Sequence, residues 1–318
     1  MENELDVKDK KILAELEMNA RLPFSMLGKK VGLSKQVVKY RVERLEKEKL
    51  IEQYYAIVDM AKFGFTPYVI YLKLFKISSK QEQEWIVKIE KHPNVLATGR
   101  NAGEWDLTVL IQCKNEFELD KILNEITQGK KEKIQKKIIT SEIESTYFNL
   151  KLLINKDIKE ATTGGTSTVN IDDKDRKIIS ELAKNCRISL LDLSKKISMS
   201  PNGAKERIKQ LEKEKIIVGY KTKINYEKLG YLHFRVFLHL NDLNKEIYEK
   251  VRIFLKNKGD VESVSRCIGY ASIDFRCHVK TIFELYQLIS DIKDKFLEKI
   301  ISVDSMIIFG WEKIVYYK

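Results

Sequence analysis

Residues 32–51 read GLSKQVVKYRVERLEKEKLI, and 166 positions later residues 198–217 read SMSPNGAKERIKQLEKEKII. In the first stretch Gly32 is free to turn with positive φ, and Ser34 stands where a helix N-cap belongs. A helix is expected from Lys35 to about Lys49, with Val38, Val42 and Leu45 at inward spacing. Ahead of it Asp6 caps a helix over 8–18 that carries Ile12, Leu13 and Leu16. Pro23 and Phe24 open a short helix that carries Leu27 and Val31. Helix, short helix, sharp turn and long basic helix is the order that major-groove insertion requires. Lys35, Gln36 and Lys39 are expected at base edges, Arg41 and Lys39 at phosphates, with Tyr40 and Arg44 on the same outward faces. Glu43, Glu46 and Glu48 moderate the charge, so a merely solvated helix face stands as the alternative reading.

The second stretch repeats the pattern, with Ser200 as cap and Pro201 at the first helical position. Its outward residues are Asn202, Lys205, Glu206, Arg207 and Gln210. Among the base-reading candidates only Lys39 and Lys205 match, so two unlike reading heads are expected.

The repeat is larger than this helix. Residues 5–65 align with 171–231 without a gap, and roughly two in five of the positions are identical. The same shift carries Arg100 onto Arg266, Gly103 onto Gly269 and the phrase Phe117-Glu118-Leu119 onto Phe283-Glu284-Leu285. After Gly64 the period changes to that of strands: 67–75 is β-branched and aromatic, followed by a helix over 80–91. Strands are expected over 95–101 and 105–112, a helix over 115–128 and a long strand over 134–148. The second half repeats this with strands near 232–240, 261–267, 272–279 and 300–316 and helices near 245–258 and 281–295. The order βαββαβ is the ferredoxin-like split motif. The fold class is therefore α+β, in two tandem units. The expected divisions are helix-turn-helix domains over 1–63 and 171–229, ferredoxin-like domains over 64–154 and 230–318, and a flexible Thr/Gly-rich linker over 155–170.

The basic phrase Arg41-Val42-Glu43-Arg44-Leu45-Glu46 with Leu50-Ile51, followed by a ferredoxin-like module containing Gly103-Glu104-Trp105-Asp106, resembles the Lrp/AsnC (feast/famine) regulators. The resemblance covers both halves. It implies transcription control through double-stranded DNA, sheets packed face to face in dimers, and small-molecule effectors, amino acids among them, sensed near the glycine turn. By that analogy Gly103, Glu104, Trp105 and Asp106 are effector candidates, although a plain hairpin corner explains the turn equally well. In the second half Gly269 is kept, but Tyr270-Ala271-Ser272 removes the acid. Gly269, Tyr270 and Ser272 therefore mark a turn for a different ligand or none. Two units on one chain suggest an intramolecular pseudodimer, with higher assembly left open.

Strand alternation also gathers His233, Arg235, His239, Asp274, Arg276 and His278 on one face of the second sheet, which holds three of the four histidines. Three readings stand open: a polar interface between sheets, a pocket for an anion, or a metal or haem-related site. The last bears on a rival class, since the sirohaem decarboxylases put a similar architecture to tetrapyrrole chemistry.

The 318 residues carry 58 Lys plus Arg against 46 Asp plus Glu, a net charge of +12 that suits a polyanionic partner. No apolar run is long enough to span a membrane and no signal-peptide pattern is seen, so a cytoplasmic location is expected. Cys113, Cys186, Cys267 and Cys277 lack zinc-site spacing, and reduced, buried thiols are expected. Catalytic motifs are absent, and no enzyme activity, metal or cofactor is expected. The run 130–137 (KKEKIQKK) reads as a solvated loop or a supplementary DNA-backbone contact.

Overall fold

The computed structural model describes residues 5–166 and 168–314. The first head comprises α1 (Val7–Met18), α2 (Phe24–Val31) and α3 (Lys35–Lys47), followed by strand β1 (Ile51–Val58). The first sensing module is β2 (Thr66–Leu74), α4 (Ser79–Glu90), β3 (Val95–Ala102), β4 (Leu107–Cys113), α5 (Glu116–Ile126) and β5 (Ile134–Phe148). A strand β6 (Glu160–Gly164) lies between the halves. The second head follows as α6 (Asp173–Lys184), α7 (Leu190–Lys196), α8 (Pro201–Lys213) and β7 (Ile217–Ile224). The second module is β8 (Leu232–Leu240), α9 (Lys245–Lys258), β9 (Val261–Ile268), β10 (Ile273–Val279), α10 (Ile282–Lys295) and β11 (Ile300–Ile314). The expected strand near 300–316 thus runs to Ile314, and its last two residues lie outside the described residues.

Each module has the ferredoxin-like order, β5-β2-β4-β3 in the first and β11-β8-β10-β9 in the second. The long strands join them. β5 pairs with β2 through 134–141 and with β9 of the other module through 141–147. In the same way β11 pairs with β8 through 300–307 and with β3 through 307–314. Eight strands therefore close into a ring, which leaves part of β5 beyond its pairing with β2 as an edge. One face of each sheet packs on its own helices: Ile70, Leu72 and Ile111 on Trp85 and Ile122, Val236 and Phe275 on Tyr248 and Leu288. The other faces meet between the sheets, where Tyr71 contacts Phe237 edge-on at 5.4 Å and packs on Trp105 and Tyr270.

The heads are also joined. β1 and β7 form an antiparallel pair, and one continuous core of Ile12, Leu16, Val42, Leu45, Ile178, Leu182, Ile208 and Leu211 runs through both. The contacts are reciprocal. Arg21 donates to the Cys186 carbonyl at 2.5 Å, and Arg187 donates to the carbonyls of Ala20 (2.6 Å) and Leu22 (3.1 Å). These two strands escape periodicity because they follow the recognition helix directly and are largely buried on both faces of a two-stranded ribbon.

The reading of 155–170 as a flexible linker is corrected. Residues 160–164 form β6 on the part of β5 that β2 leaves uncovered. Thr146 and Thr162 hydroxyls meet at 3.0 Å, Glu160 binds Arg252 and Lys256, and Gly164 N–H donates to Asp59 at 2.9 Å. Gly164 has a φ of +118° and lies so close to Ile143 that no Cβ fits there. An unpaired strand edge overrode the composition. Part of the basic run is likewise strand, since β5 begins at Ile134. Cys113, Cys186, Cys267 and Cys277 are free and buried. No described helix is long and apolar enough to cross a membrane.

Candidate nucleic-acid interface and sensing clefts

Both recognition helices begin on a serine cap: Ser34 Oγ accepts from Val37 N–H at 3.3 Å and Ser200 Oγ from Gly203 N–H at 3.1 Å. Val38, Val42 and Leu45 anchor α3, while Ala204, Ile208 and Leu211 anchor α8. At its far end each helix is tied to the ribbon, Tyr54 hydroxyl to Glu46 at 2.7 Å and Tyr220 hydroxyl to Glu212 at 2.5 Å. The faces left exposed carry Ser34, Lys35, Gln36, Lys39 and Tyr40 in one head, and Ser200, Asn202, Lys205 and Gln210 in the other. Tyr40 is 68 % exposed, a large aromatic with no packing role in the head.

Arg41, Arg44 and Arg207 are less exposed than that set and are ion-paired within their own heads. Arg41 Nη1 lies 2.6 Å from Asp6 and 2.9 Å from Asp9, and Arg44 Nη2 lies 2.5 Å from Asp9. Arg207 repeats the arrangement with Asp172 at 2.7 Å and Asp175 at 2.9 Å. Asp6 is also the N-cap of α1, so one carboxylate serves a helix terminus and a guanidinium together. The Asp9 backbone N–H and the Arg41 charge hold its pKa down to about 2. These arginines brace α3 and α8 against the first helix of each head.

The glycine turns dock across the ring. Gly103 and Gly269 share a φ of +132°. Gly103 rests against Met306, and Gly269 lies so close to the Ile139 carbonyl that a Cβ would stand 2.5 Å from it. Beside each turn is a shallow cleft. One of about 320 Å³ is lined by Lys76, Glu82, Arg100, Asn101 and Asp106; the other, of about 330 Å³, by His239, Leu243, Arg266, Ile268, Tyr270 and Ser272. Trp105 does not line the first cleft; it is buried between the sheets. Asp106 already accepts from Lys73 Nζ at 2.9 Å and from Leu74 N–H at 2.7 Å. Glu104 accepts from the Tyr270 hydroxyl at 2.9 Å, so the two turns touch.

The polar face of the second sheet divides three ways. Arg235 is buried over Tyr71, with Nη2 2.9 Å from Glu142 of the other module and 2.5 Å from Asp274. Burial and the Asp274 charge push the Glu142 carboxyl upward against the pull of Arg235. This part is a polar contact between the sheets, and Arg235 Nη2 is already paired there. Arg276 donates to Ser263 at 2.8 Å, and His239 meets Asp304 at 2.8 Å near the second cleft. His233 and His278 stand apart with Glu262, a residue that the sequence analysis did not single out. A register shift where β9 meets β10, between Arg276 and Cys277, leaves Glu262 as an extra residue turned onto the histidine face. Strict alternation conceals such a bulge.

Paired helix-turn-helix heads carried on a closed double sheet define the class: a two-headed helix-turn-helix protein with both heads in one chain. Residues 5–46 match the model of the AsnC-type helix-turn-helix domain, and residues 171–218 that of a winged helix-turn-helix DNA-binding domain. The HTH-type transcriptional regulator FL11 of Pyrococcus furiosus is 28% identical over 120 residues, which are 38% of this chain and 78% of that protein. Another HTH-type transcriptional regulator of that organism is 34% identical over 123 residues, 38% of this chain and 81% of its own length. The chain belongs to the Lrp/AsnC family of transcriptional regulators. The solved siroheme decarboxylase NirDL is similar over 98% of this chain and 94% of its own, with a TM-score of 0.62 at 14% identity. That likeness is one of fold.

Proposed function

We propose that this chain is the single-chain counterpart of a dimeric Lrp/AsnC regulator, presenting two unlike recognition helices to one duplex. The observation that carries the reading is the β1–β7 ribbon, which fixes α3 and α8 in a reciprocal pair while leaving Lys35, Gln36, Lys39 and Tyr40 and their counterparts Asn202, Lys205 and Gln210 exposed. Lys39 and Lys205 supply charge shared by both heads. Gln36 and Asn202 suit the adenine edge, and Lys35 suits guanine where the second head has Pro201. Footprinting on genomic fragments tests this: two adjacent half-sites of different sequence are expected. A perfectly palindromic preferred operator would overturn it.

The two clefts beside the glycine turns are the effector sites in this reading. The first offers carboxylates and cations side by side, as a zwitterion such as an amino acid requires. An amine reaching Asp106 competes with Lys73 and the Leu74 N–H, so binding there would loosen the hold of Asp106 on β2. The second cleft has Arg266, His239 and Tyr270 and, among the described residues, no carboxylate in its lining, and would take an anionic or less charged ligand.

A further inference from the structure

Where the second module meets the heads, His233 on β8, Glu262 on β9 and His278 on β10 converge. His233 and His278 are direct cross-strand partners, their rings stacked 4.2 Å apart and 12° from parallel. Both Nε2 atoms face one carboxylate oxygen: Glu262 Oε2 lies 3.4 Å from His233 and 3.2 Å from His278. The three donor atoms lie within 4.8 Å of one another. An ion about 2.0–2.1 Å from each of its tetrahedral ligands holds those ligands roughly 3.4 Å apart, the separation already present on two of the three sides. Both histidines are buried, and His278 Nδ1 has no hydrogen-bond partner among the described residues.

We propose that His233, Glu262 and His278 bind one divalent transition-metal ion of the zinc class. Two imidazoles and a carboxylate are the borderline donor set that such ions take in preference to the all-oxygen shells of magnesium or calcium.

Three protein ligands leave a coordination position open. The cluster borders a cleft of about 160 Å³ whose other walls include Glu17, Lys221, Thr222 and Tyr226. Glu17 belongs to α1 of the first head, and Lys221 and Tyr226 to the second. The Tyr226 ring lies 4.8 Å from His278 and its hydroxyl donates to Glu17 at 3.0 Å. The ion therefore sits at the joint between the sensing ring and both heads. The first half carries Pro67, Leu96 and Gln112 at the matching positions, none of which replaces the ligand set, so the repeat does not duplicate the site.

The test uses the full chain, stripped by a chelator, titrated with zinc by calorimetry and with cobalt by visible absorption. One ion per chain is expected. His278→Ala and the near-isosteric Glu262→Gln should each weaken binding by about 100-fold or more, as removal of a ligand exceeds the effect of removing its supporting groups. His92→Ala should leave stoichiometry and affinity unchanged, with circular dichroism verifying that each variant is folded. No bound ion in the folded chain, or full affinity in folded Glu262→Gln, would overturn the proposal. Binding is read without DNA, so its failure is distinguishable from failure of the regulator reading.

Discussion

The two halves of this chain share a brace and differ in nearly everything the brace positions. Asp6, Asp9 and Arg41 recur as Asp172, Asp175 and Arg207 with the same ion pairs, and Arg21 and Arg187 make the same contact across the heads. Yet Lys35-Gln36-Val37 faces Pro201-Asn202-Gly203, and the acid of the first glycine turn becomes Ser272. The interior departs as well. Arg235, Asp274 and Glu142 form a buried ion network, whereas the equivalent positions 69, 108 and 308 hold Val, Thr and Ile. Two identical subunits cannot vary one copy alone, so fusion permits each half to hold a different reading head, cleft and interface within one frame.

The largest effect is expected where charge replaced an apolar contact. Arg235→Val alone leaves two buried carboxylates facing each other and should cost roughly 3–5 kcal/mol in urea unfolding. The triple change E142I, R235V and D274T copies the first half and should recover most of that loss, or exceed the parent. A triple variant no more stable than the single one would show that the two interfaces are not equivalent.

The glycine turns come next. Both turns have positive φ, but Gly269→Ala adds a collision against the Ile139 backbone, while Gly103→Ala meets Met306 and the Ser305 carbonyl at ordinary contact distance. Thermal melts should show a loss of roughly 2–4 kcal/mol at Gly269 and roughly 1–2 kcal/mol at Gly103. Equal losses would remove this distinction between the turns.

The heads separate stability from DNA contact. Lys39→Ala with Lys205→Ala should leave the melting transition in place and reduce the salt slope of DNA binding by about 2, close to one counterion per lysine. Arg41→Ala with Arg207→Ala should do the reverse, costing each head roughly 1–2 kcal/mol with the exposed part of each pair discounted. The smallest effect is pH dependence. Asp6 has its pKa lowered from 3.8 to about 2, and Asp172 shifts in the same direction. A depressed carboxyl stabilises the fold above its ordinary pKa, so both braces should weaken as pH falls from about 4 towards 2, and Asp6→Asn should flatten the first head's share of that decline.

Much of the frame was legible from the sequence. The 166-residue shift disclosed the doubling, the move from helical to strand period at Gly64 and Gly230 marked the modules, and both caps were assigned correctly. Three features were not legible. The β1–β7 pairing and the swap of β5 and β11 between modules depend on partners distant in sequence. β6 was hidden by a polar composition that a vacant strand edge overruled. Glu262 went unnoticed, because a bulge turns it onto the histidine face against the period of two. The bracing role of Arg41 had left a trace, since Asp6, Asp9 and Arg41 all recur 166 residues on, but basic residues on a recognition helix suggest phosphate before an intramolecular partner.

The most direct test of one chain acting as a whole dimer is the mass of the protein–DNA complex, measured alongside its footprint. One chain covering two adjacent, non-identical half-sites is the expected result, with a shortened duplex carrying either half-site alone bound weakly. Two chains on a symmetric operator, each engaging DNA through the same head, would contradict the account.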